Sequence, residues 1–387
     1  MELCLVVDHA CNLRCRYCYT GEKRSAAMSD DVIRSAIDWA LRQSTGWLSI
    51  TLFGGEPLLH PNILQTVERI VVETLAAHDT GTKLRWLLDT NATLFTDASL
   101  GWLATHKPSK VFVSLDGTAE AHDRHRMDAH GEPTHRHVVE GIRRLREHGI
   151  PFDIVAVVSP DTAHLLAQSL EFLLTLGAEQ VQFQVNLRAE WSGSQLQAFA
   201  GHARGAAHVW AENFRQGRTA VVAPFHSKVL SHLFGELHLP SRCQIATCEV
   251  AVAPSGRIYP CAEMVGEDQR DDFVIGHVGS GLDVARVQQL RSLVQHVNET
   301  CRECALDSRC LNGCGCRQLA STGHLGHIAA SLCETENAWI DAADAVAELL
   351  VAERCAPFLD FYYGQNWAVP SPSSEQALVP LRARRQS

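Results

Sequence analysis

No apolar run in the chain approaches the ~20 residues that a membrane-spanning helix needs, so the sequence predicts no such helix and no membrane partner. Basic charge is also short. There are 34 Lys+Arg against 44 Asp+Glu, a net charge of −10, which argues against broad nucleic-acid binding. A basic leader region is missing too, since the chain begins Met-Glu-Leu-Cys, and the expectation is a cytoplasmic protein. Cysteine is absent from residues 19–242, and 14 cysteines in 387 residues fall below the roughly 8–10% that marks a disulfide scaffold. With 46% hydrophobic and 20% charged residues the composition is globular, which excludes disorder and fibrous repeats.

The cysteines that are present are clustered. Four lie in the first 18 residues and ten between Cys243 and Cys355. In a reducing compartment such clusters hold metal more often than they form disulfides, and zinc and iron–sulfur are the two choices.

From residue 1 to about 188, strand-like runs at Leu3–Val7, Leu48–Phe53, Leu84–Leu88, Lys110–Leu115, Phe152–Val158 and Gln180–Val185 alternate with amphipathic helical patterns. Six βα units in succession predict an α/β fold with a parallel sheet, curled into a partial TIM-like (βα)6 barrel whose C-terminal strand ends form the active rim. Residues 189–240 read as a helical linker. Residues 241–355 read as a cysteine-rich domain with short helices, opened by a β-hairpin in which Val250–Ala253 and Arg257–Tyr259 flank Pro254-Ser255-Gly256. Residues 356–387 read as a partly disordered tail.

Cys11-Asn-Leu-Arg-Cys15-Arg-Tyr-Cys18 follows the first strand directly. Three thiolates cannot complete the four-cysteine set of an ordinary [4Fe–4S] cluster, so one iron stays open to a ligand; a catalytic zinc site with an open position is the competing reading. The loop, with Tyr17 at its aromatic position, resembles the signature of the radical S-adenosylmethionine (radical SAM) superfamily. That resemblance implies a cluster that chelates S-adenosylmethionine, splits it reductively to a 5′-deoxyadenosyl radical, and lets the radical take a hydrogen atom from a substrate. It also implies cofactor contacts at Tyr17, at Gly54, Gly55 and Glu56 in Phe53-Gly-Gly-Glu-Pro57, and at Ser114 in Val113-Ser-Leu-Asp-Gly117. Asn91, after the third strand, reads equally as a turn residue or as a cofactor contact. His122, Asp123 and Arg126 read as loop or capping residues.

Cys301-x2-Cys304-x5-Cys310-x3-Cys314, with Cys333 downstream and Cys243, Cys248 and Cys261 around the glycine hairpin, resembles the SPASM extension of radical SAM enzymes. The resemblance implies two auxiliary [4Fe–4S] clusters, giving three in all. One would take Cys243, Cys248, Cys261 and Cys314, the other Cys301, Cys304, Cys310 and Cys333. Cys4 and Cys355 read as apolar fillers. Cys316 could exchange with Cys314.

SPASM resemblance further implies a peptide or protein substrate and a flavodoxin- or ferredoxin-type reductant. The main expectation is a maturase that cross-links a ribosomally made precursor peptide. Formylglycine formation in a sulfatase is the alternative, but relatives of that type carry Asp after the hairpin-closing cysteine and Gln before Gly-Gly-Glu-Pro. Here Cys261 is followed by Ala262 and Glu263, and Phe53 replaces the Gln. Glu263 and Asp116 are the candidate catalytic bases. With ten residues before Cys11, a leader-recognition element is expected on a separate protein, in residues 189–240, in the tail, or not at all. A non-enzymatic electron-transfer or zinc-structured protein is the third reading.

Overall fold

The computed structural model describes residues 1–44, 46–78, 81–106, 109–234, 245–246, 249–295, 301 and 303–364. They divide into two compact units. The first draws on Met1–Val155 and Gln244–Gln295, the second on Ala156–Cys243 and His296–Ser387.

In the first unit, strands β1 (Glu2–Asp8), β2 (Trp47–Gly54), β3 (Lys83–Thr90), β4 (Ser109–Ser114) and β5 (Phe152–Val158) alternate with helices α1 (Asp30–Gln43), α2 (Ile63–His78), α3 (Asp97–Thr105), α4 (Ala119–Asp123) and α5 (His135–Glu147). The strands pair in parallel and in sequence order, with Leu3 opposite Ile50, Ile50 opposite Trp86, Leu88 opposite Val111, and Val113 opposite Ile154. One face of this sheet is a continuous apolar layer: Leu3, Leu5, Ile50, Leu52, Leu88, Val111, Val113 and Ile154 are all buried. Each contributes about 1.5–3 kcal/mol by leaving water. Because strand side chains alternate, the other face carries Cys4, Thr51, Phe53, Asp89, Lys110, Phe112 and Asp153. It is the more polar of the two faces, although Cys4 and Phe53 on it pack with a buried apolar cluster around Val6, Ala251 and Tyr259.

Helix starts follow the side-chain chemistry of the sequence. The Ser29 hydroxyl accepts the Val32 N–H at 3.3 Å, and Asp30 and Asp31 occupy the first turn of α1. The five expected strands of this unit are all present.

In the second unit β6 (Gln180–Val185) pairs in parallel with β7 (Val221–Ala223), and α6 (Leu166–Leu174), α7 (Gly193–Arg215) and α8 (Phe225–Phe234) surround them in sequence. Strand β7 is a departure from the helical-linker reading: three residues are too few to show a two-residue period. The hairpin belongs to the first unit. Its strands β8 (Glu249–Val252) and β9 (Arg257–Tyr259) pair antiparallel, and β8 lies parallel to β1 with Val250 opposite Leu3. Short strands β10 (Gly276–His277) and β11 (Gly281–Leu282) extend the edge before α9 (Val284–Gln295).

The second unit closes with α10 (Gly315–Thr322), α11 (Ala330–Ala352) and α12 (Ala356–Tyr363). Helix α12 forms the start of the stretch read as a partly disordered tail. Phe358 and Tyr362 are buried, with Phe358 edge-on to Phe214 at 5.2 Å, and this aromatic burial orders the helix. Among the described residues, no helix is long and apolar enough to cross a membrane.

Candidate functional site

The cysteine loop leaves the C-terminal end of β1, and its root is fixed by backbone. Gly55 N–H donates to the Asp8 carbonyl at 2.8 Å and Glu56 N–H to the Ala10 carbonyl at 2.9 Å. A Cβ on Gly55 would overlap the Ala10 carbonyl oxygen, and one on Gly54, whose φ is +139°, would overlap that of Asp8. The glycine pair therefore lets the end of β2 press against the loop root. The Cβ positions of the pair are taken by the chain's own backbone. The Asp8 carboxylate accepts the N–H groups of Ala10 at 3.1 Å and Ala26 at 2.7 Å and meets His60 Nε2 at 2.7 Å. Burial raises its pKa, but these donors outweigh that and hold it below the usual carboxylate range.

Glu56, expected at the cofactor, turns its carboxylate inward. It is 1% exposed and accepts from Leu58 N–H at 3.1 Å, Thr90 Oγ1 at 2.8 Å and Asn91 N–H at 2.7 Å. Burial pushes its pKa up to about 7 in spite of those three donors. Glu56 thus braces the Gly54–Gly55 turn against the end of β3. Asn91 continues the brace into the loop, with Nδ2 donating to Asn12 Oδ1 at 2.9 Å, while Asn12 Nδ2 donates to Thr93 Oγ1 at 2.9 Å.

The far side of the loop is clamped by residues 116–128. Arg14 N–H donates to the Met127 carbonyl at 2.7 Å, Arg16 N–H to the His125 carbonyl at 3.0 Å, and Leu13 bridges Asp128. Asp116 joins the two segments. Its carboxylate accepts Arg126 Nε at 3.0 Å and the Tyr17 hydroxyl, with the Arg126 guanidinium 5.3 Å from the Tyr17 ring centroid. The Asp116 side chain is 1% exposed. A carboxylate shared between a guanidinium and a phenol ties the two segments together and positions the loop.

His122 is fully buried, and burial, with Arg126 and His135 nearby, pushes its pKa down to about 3. The neutral ring accepts the Asp116 N–H at Nδ1 and donates from Nε2 to Thr134 Oγ1 at 3.1 Å. Asp123 Oδ1 receives the N–H groups of Thr134 and His135, consistent with a cap at the start of α5. Arg126 is therefore the residue that sequence reasoning undervalued. Ten positions separate it from Asp116, and no local period links such a pair.

Within this frame stand three thiols. Leu13 N–H donates to Cys11 Sγ at 3.3 Å, and burial pushes the Cys11 thiol up to about 11. Burial also raises Cys15, against the pull of Arg126. Burial acts on Cys18 as well, but Lys23 Nζ, 2.9 Å from its Sγ, outweighs it together with Thr20 and leaves that thiol below its usual value. Lys23 was not anticipated, because a lysine after a cysteine loop has no distinguishing pattern.

On the polar face of the sheet, the Tyr19 ring stacks on Phe53 with centroids 6.4 Å apart and planes at 16°. Glu263 sits in a short 3₁₀ turn, Ala262–Met264, that Cys261 precedes, and both Glu263 and Cys261 act electrostatically on Tyr19. Burial, with Glu249 and Glu56 nearby, pushes Asp89 up to about 7. Ser114 ends β4 partly exposed on the same face.

In the second unit Cys301 and Cys304 share a turn, Cys304 N–H donating to the Cys301 carbonyl at 3.1 Å. Cys333 starts α11 and feels the charges of Cys301 and Cys304, while Cys310 feels that of Cys333. The four are brought into one neighbourhood. Cys314 stands at the N-terminus of α10 and is partly exposed, whereas Cys316, inside the helix, is 5% exposed. Cys4 is buried among Val6, Ala251, Ala253 and Tyr259, as a filler would be, and Cys355 precedes α12. Cys243 and Cys248 lie outside the described residues.

The donor set fits an iron–sulfur cluster with an open iron: three thiols on one eight-residue loop whose backbone is bonded on both flanks. Among the described residues no three His, Cys, Asp or Glu side chains converge as the ligands of one ion do, and a cubane, whose thiolates each bind a different iron, asks for no such convergence.

Residues 5–173 match the family model of the radical SAM superfamily. A cysteine-type anaerobic sulfatase-maturating enzyme of Clostridium perfringens is 24% identical over 327 residues, covering 79% of this chain and 85% of that protein. The solved structure of native anSMEcpe with bound AdoMet and Cp18Cys peptide superposes with a TM-score of 0.76 at 23% identity, covering 92% of this chain and 99% of that one. Streptococcus suis SuiB bound to precursor peptide SuiA gives a TM-score of 0.59 at 16% identity, covering 86% and 75%. Residues 5–173 are therefore a radical SAM domain, in a chain related to the anaerobic sulfatase-maturating enzymes.

Proposed function

We propose that this enzyme modifies a side chain of a peptide by removing a hydrogen atom from carbon, and that the product is a cross-link within a ribosomally made precursor peptide. The carrying observation is the Tyr19–Phe53 stack beside Glu263 on the polar face of the sheet. Where sulfatase maturases are expected to carry Gln, the wall here is aromatic at Phe53 and Tyr19, and Glu263 is one residue further from the hairpin cysteine than their Asp. Such a wall suits a large side chain better than the small Cys or Ser of a sulfatase. SuiB, similar in fold, is bound to a precursor peptide.

In this reading Cys11, Cys15 and Cys18 hold one [4Fe–4S] cluster that also binds S-adenosylmethionine. When bound, that pair supplies, on reduction, a carbon radical able to take a hydrogen atom from the substrate. The chain's own part is orientation. Asp116, Arg126 and Tyr17 fix the loop, Asn91 and Glu56 fix its root, Gly54 and Gly55 present backbone carbonyls, and the Ser114 hydroxyl is offered to the cofactor. Glu263 is the candidate proton acceptor at the substrate. Cys301, Cys304, Cys310 and Cys333 would hold one auxiliary cluster and Cys243, Cys248, Cys261 and Cys314 the other, and these clusters would accept the electron left over when the substrate radical closes the cross-link and releases a proton. Cys314 is preferred to Cys316 because it is the more accessible. A flavodoxin- or ferredoxin-type protein supplies the electron. The likeness to sulfatase-maturating enzymes over about four fifths of the chain supports the second reading, formylglycine formation.

Anaerobic reconstitution tests this. The expected result is about 12 irons per chain, from three cubanes. Methionine and 5′-deoxyadenosine should form with S-adenosylmethionine and reductant, and both should disappear in Cys15→Ala. Mass spectrometry of a candidate precursor peptide separates the two products. Loss of two hydrogens with linked fragments supports a cross-link, and conversion of one Cys or Ser to an aldehyde overturns it in favour of formylglycine.

A further inference from the structure

Cys310 lies between two residues whose backbones are bound to charges buried inside the second unit. Lys228, on α8 and 0% exposed, donates from Nζ to the Arg309 carbonyl at 2.7 Å. Glu336, on α11 and 1% exposed, accepts the Leu311 N–H at 3.1 Å. The two side chains also pair with each other at 2.6 Å, and Arg317 reaches the other Glu336 oxygen at 2.5 Å. Arg309 is itself held by both oxygens of Asp344, at 2.8 and 2.6 Å, and donates to the Lys228 carbonyl at 2.9 Å.

Burying this many charges is not an efficient way to stabilise a fold. Desolvation of a buried pair can exceed its Coulomb gain, and well-packed apolar side chains of similar volume often do as well or better. An apolar pair at 228 and 336 would lack one thing, namely directional bonds to a carbonyl and an N–H on either side of one cysteine. Glu336 also lies three positions after Cys333 on α11, so a single carboxylate ties the helix carrying Cys333 to the loop carrying Cys310.

We infer that Lys228 and Glu336 are positioning residues that set the Cys310 loop against Cys333, so that the ligand set of the Cys301, Cys304, Cys310 and Cys333 cluster is assembled before iron arrives. This rests on the three-cluster reading above. The charges do not touch the cluster's substrate-side chemistry; they act through the loop backbone.

Two variants test it, each read by iron content, by the electron paramagnetic resonance spectrum after anaerobic reconstitution, and by circular dichroism of the iron-free chain. Lys228→Met with Glu336→Leu replaces the pair by apolar volume. Leu311→Pro leaves both charges in place and removes the N–H that Glu336 accepts, at the first position of a 3₁₀ turn where a proline ring is tolerated and after a Cys310 whose backbone is already extended. The expected result for both is a folded iron-free chain whose iron falls from about 12 to about 8 per chain, with the spectrum of one cluster lost or broadened. If the double variant does not fold, Leu311→Pro decides. Folded variants that keep the parent's iron and spectrum overturn the inference. A parent chain that binds only about four irons overturns the three-cluster reading instead, and with it the role assigned to the loop.

Discussion

Glu56 shows how a single side chain couples the site to the solution. Its pKa is pushed from 4.5 up to about 7 by burial, so the folded chain binds this proton more tightly than the unfolded one does. The sign follows: stability from this group is fully present below pH 4.5 and is lost as pH rises to about 7, after which it is level. By linkage the loss is about 3 kcal/mol. Urea denaturation of the iron-free chain at a series of pH values checks this. Glu56→Gln is expected to flatten the slope between pH 4.5 and 7, and an unchanged slope would assign it elsewhere. Asp116 makes a different case at the same scale, because its carboxylate accepts from both Arg126 and Tyr17 and so ties two segments of the frame together.

At the scale of elements, the site depends on how closely the β2 turn approaches the root of the cysteine loop. Gly55 is packed on the Ala10 carbonyl, whereas Gly101 in α3 has open space around it. Gly55→Ala must therefore move one segment or the other, and a loss of about 1–3 kcal/mol is expected, as for other overpacked positions. A slower release of 5′-deoxyadenosine should accompany it. Gly101→Ala is the control, with a gain of about 0.5–1 kcal/mol from reduced backbone entropy in a helix. Equal stability of the two variants, measured by thermal denaturation, would show that the close approach is not required.

At the scale of the whole molecule, each unit has an apolar core of its own. The first has the buried strand face described above. The second has Phe199, Trp210, Phe225, Trp339 and Phe358, all 1% exposed or less and joined by edge-to-face contacts such as Phe199 to Trp339 at 5.1 Å. Chelation of iron is therefore expected to leave the far-ultraviolet circular dichroism and cooperative thermal unfolding largely intact. Loss of both on chelation would place the chain with small domains whose folding is metal binding.

The order of βα units and the cysteine spacings were legible in the chain because they are local: strand alternation, helical stripes and thiols a few residues apart all depend on neighbours in sequence. The resemblance to the radical SAM superfamily rests on those same spacings. Only the tertiary structure decided that the hairpin at β8 and β9 belongs beside β1, that residues 356–363 form a packed helix, and that Gly54 and Gly55 serve backbone contact. It also decided that Asp116 pairs with Arg126, and that Lys228, Glu336 and Arg309 converge around Cys310. Those partners stand 10 to 108 residues apart. Charge pairing carries no sequence period, so it emerges only when folding brings the elements together and burial makes every unpaired charge costly.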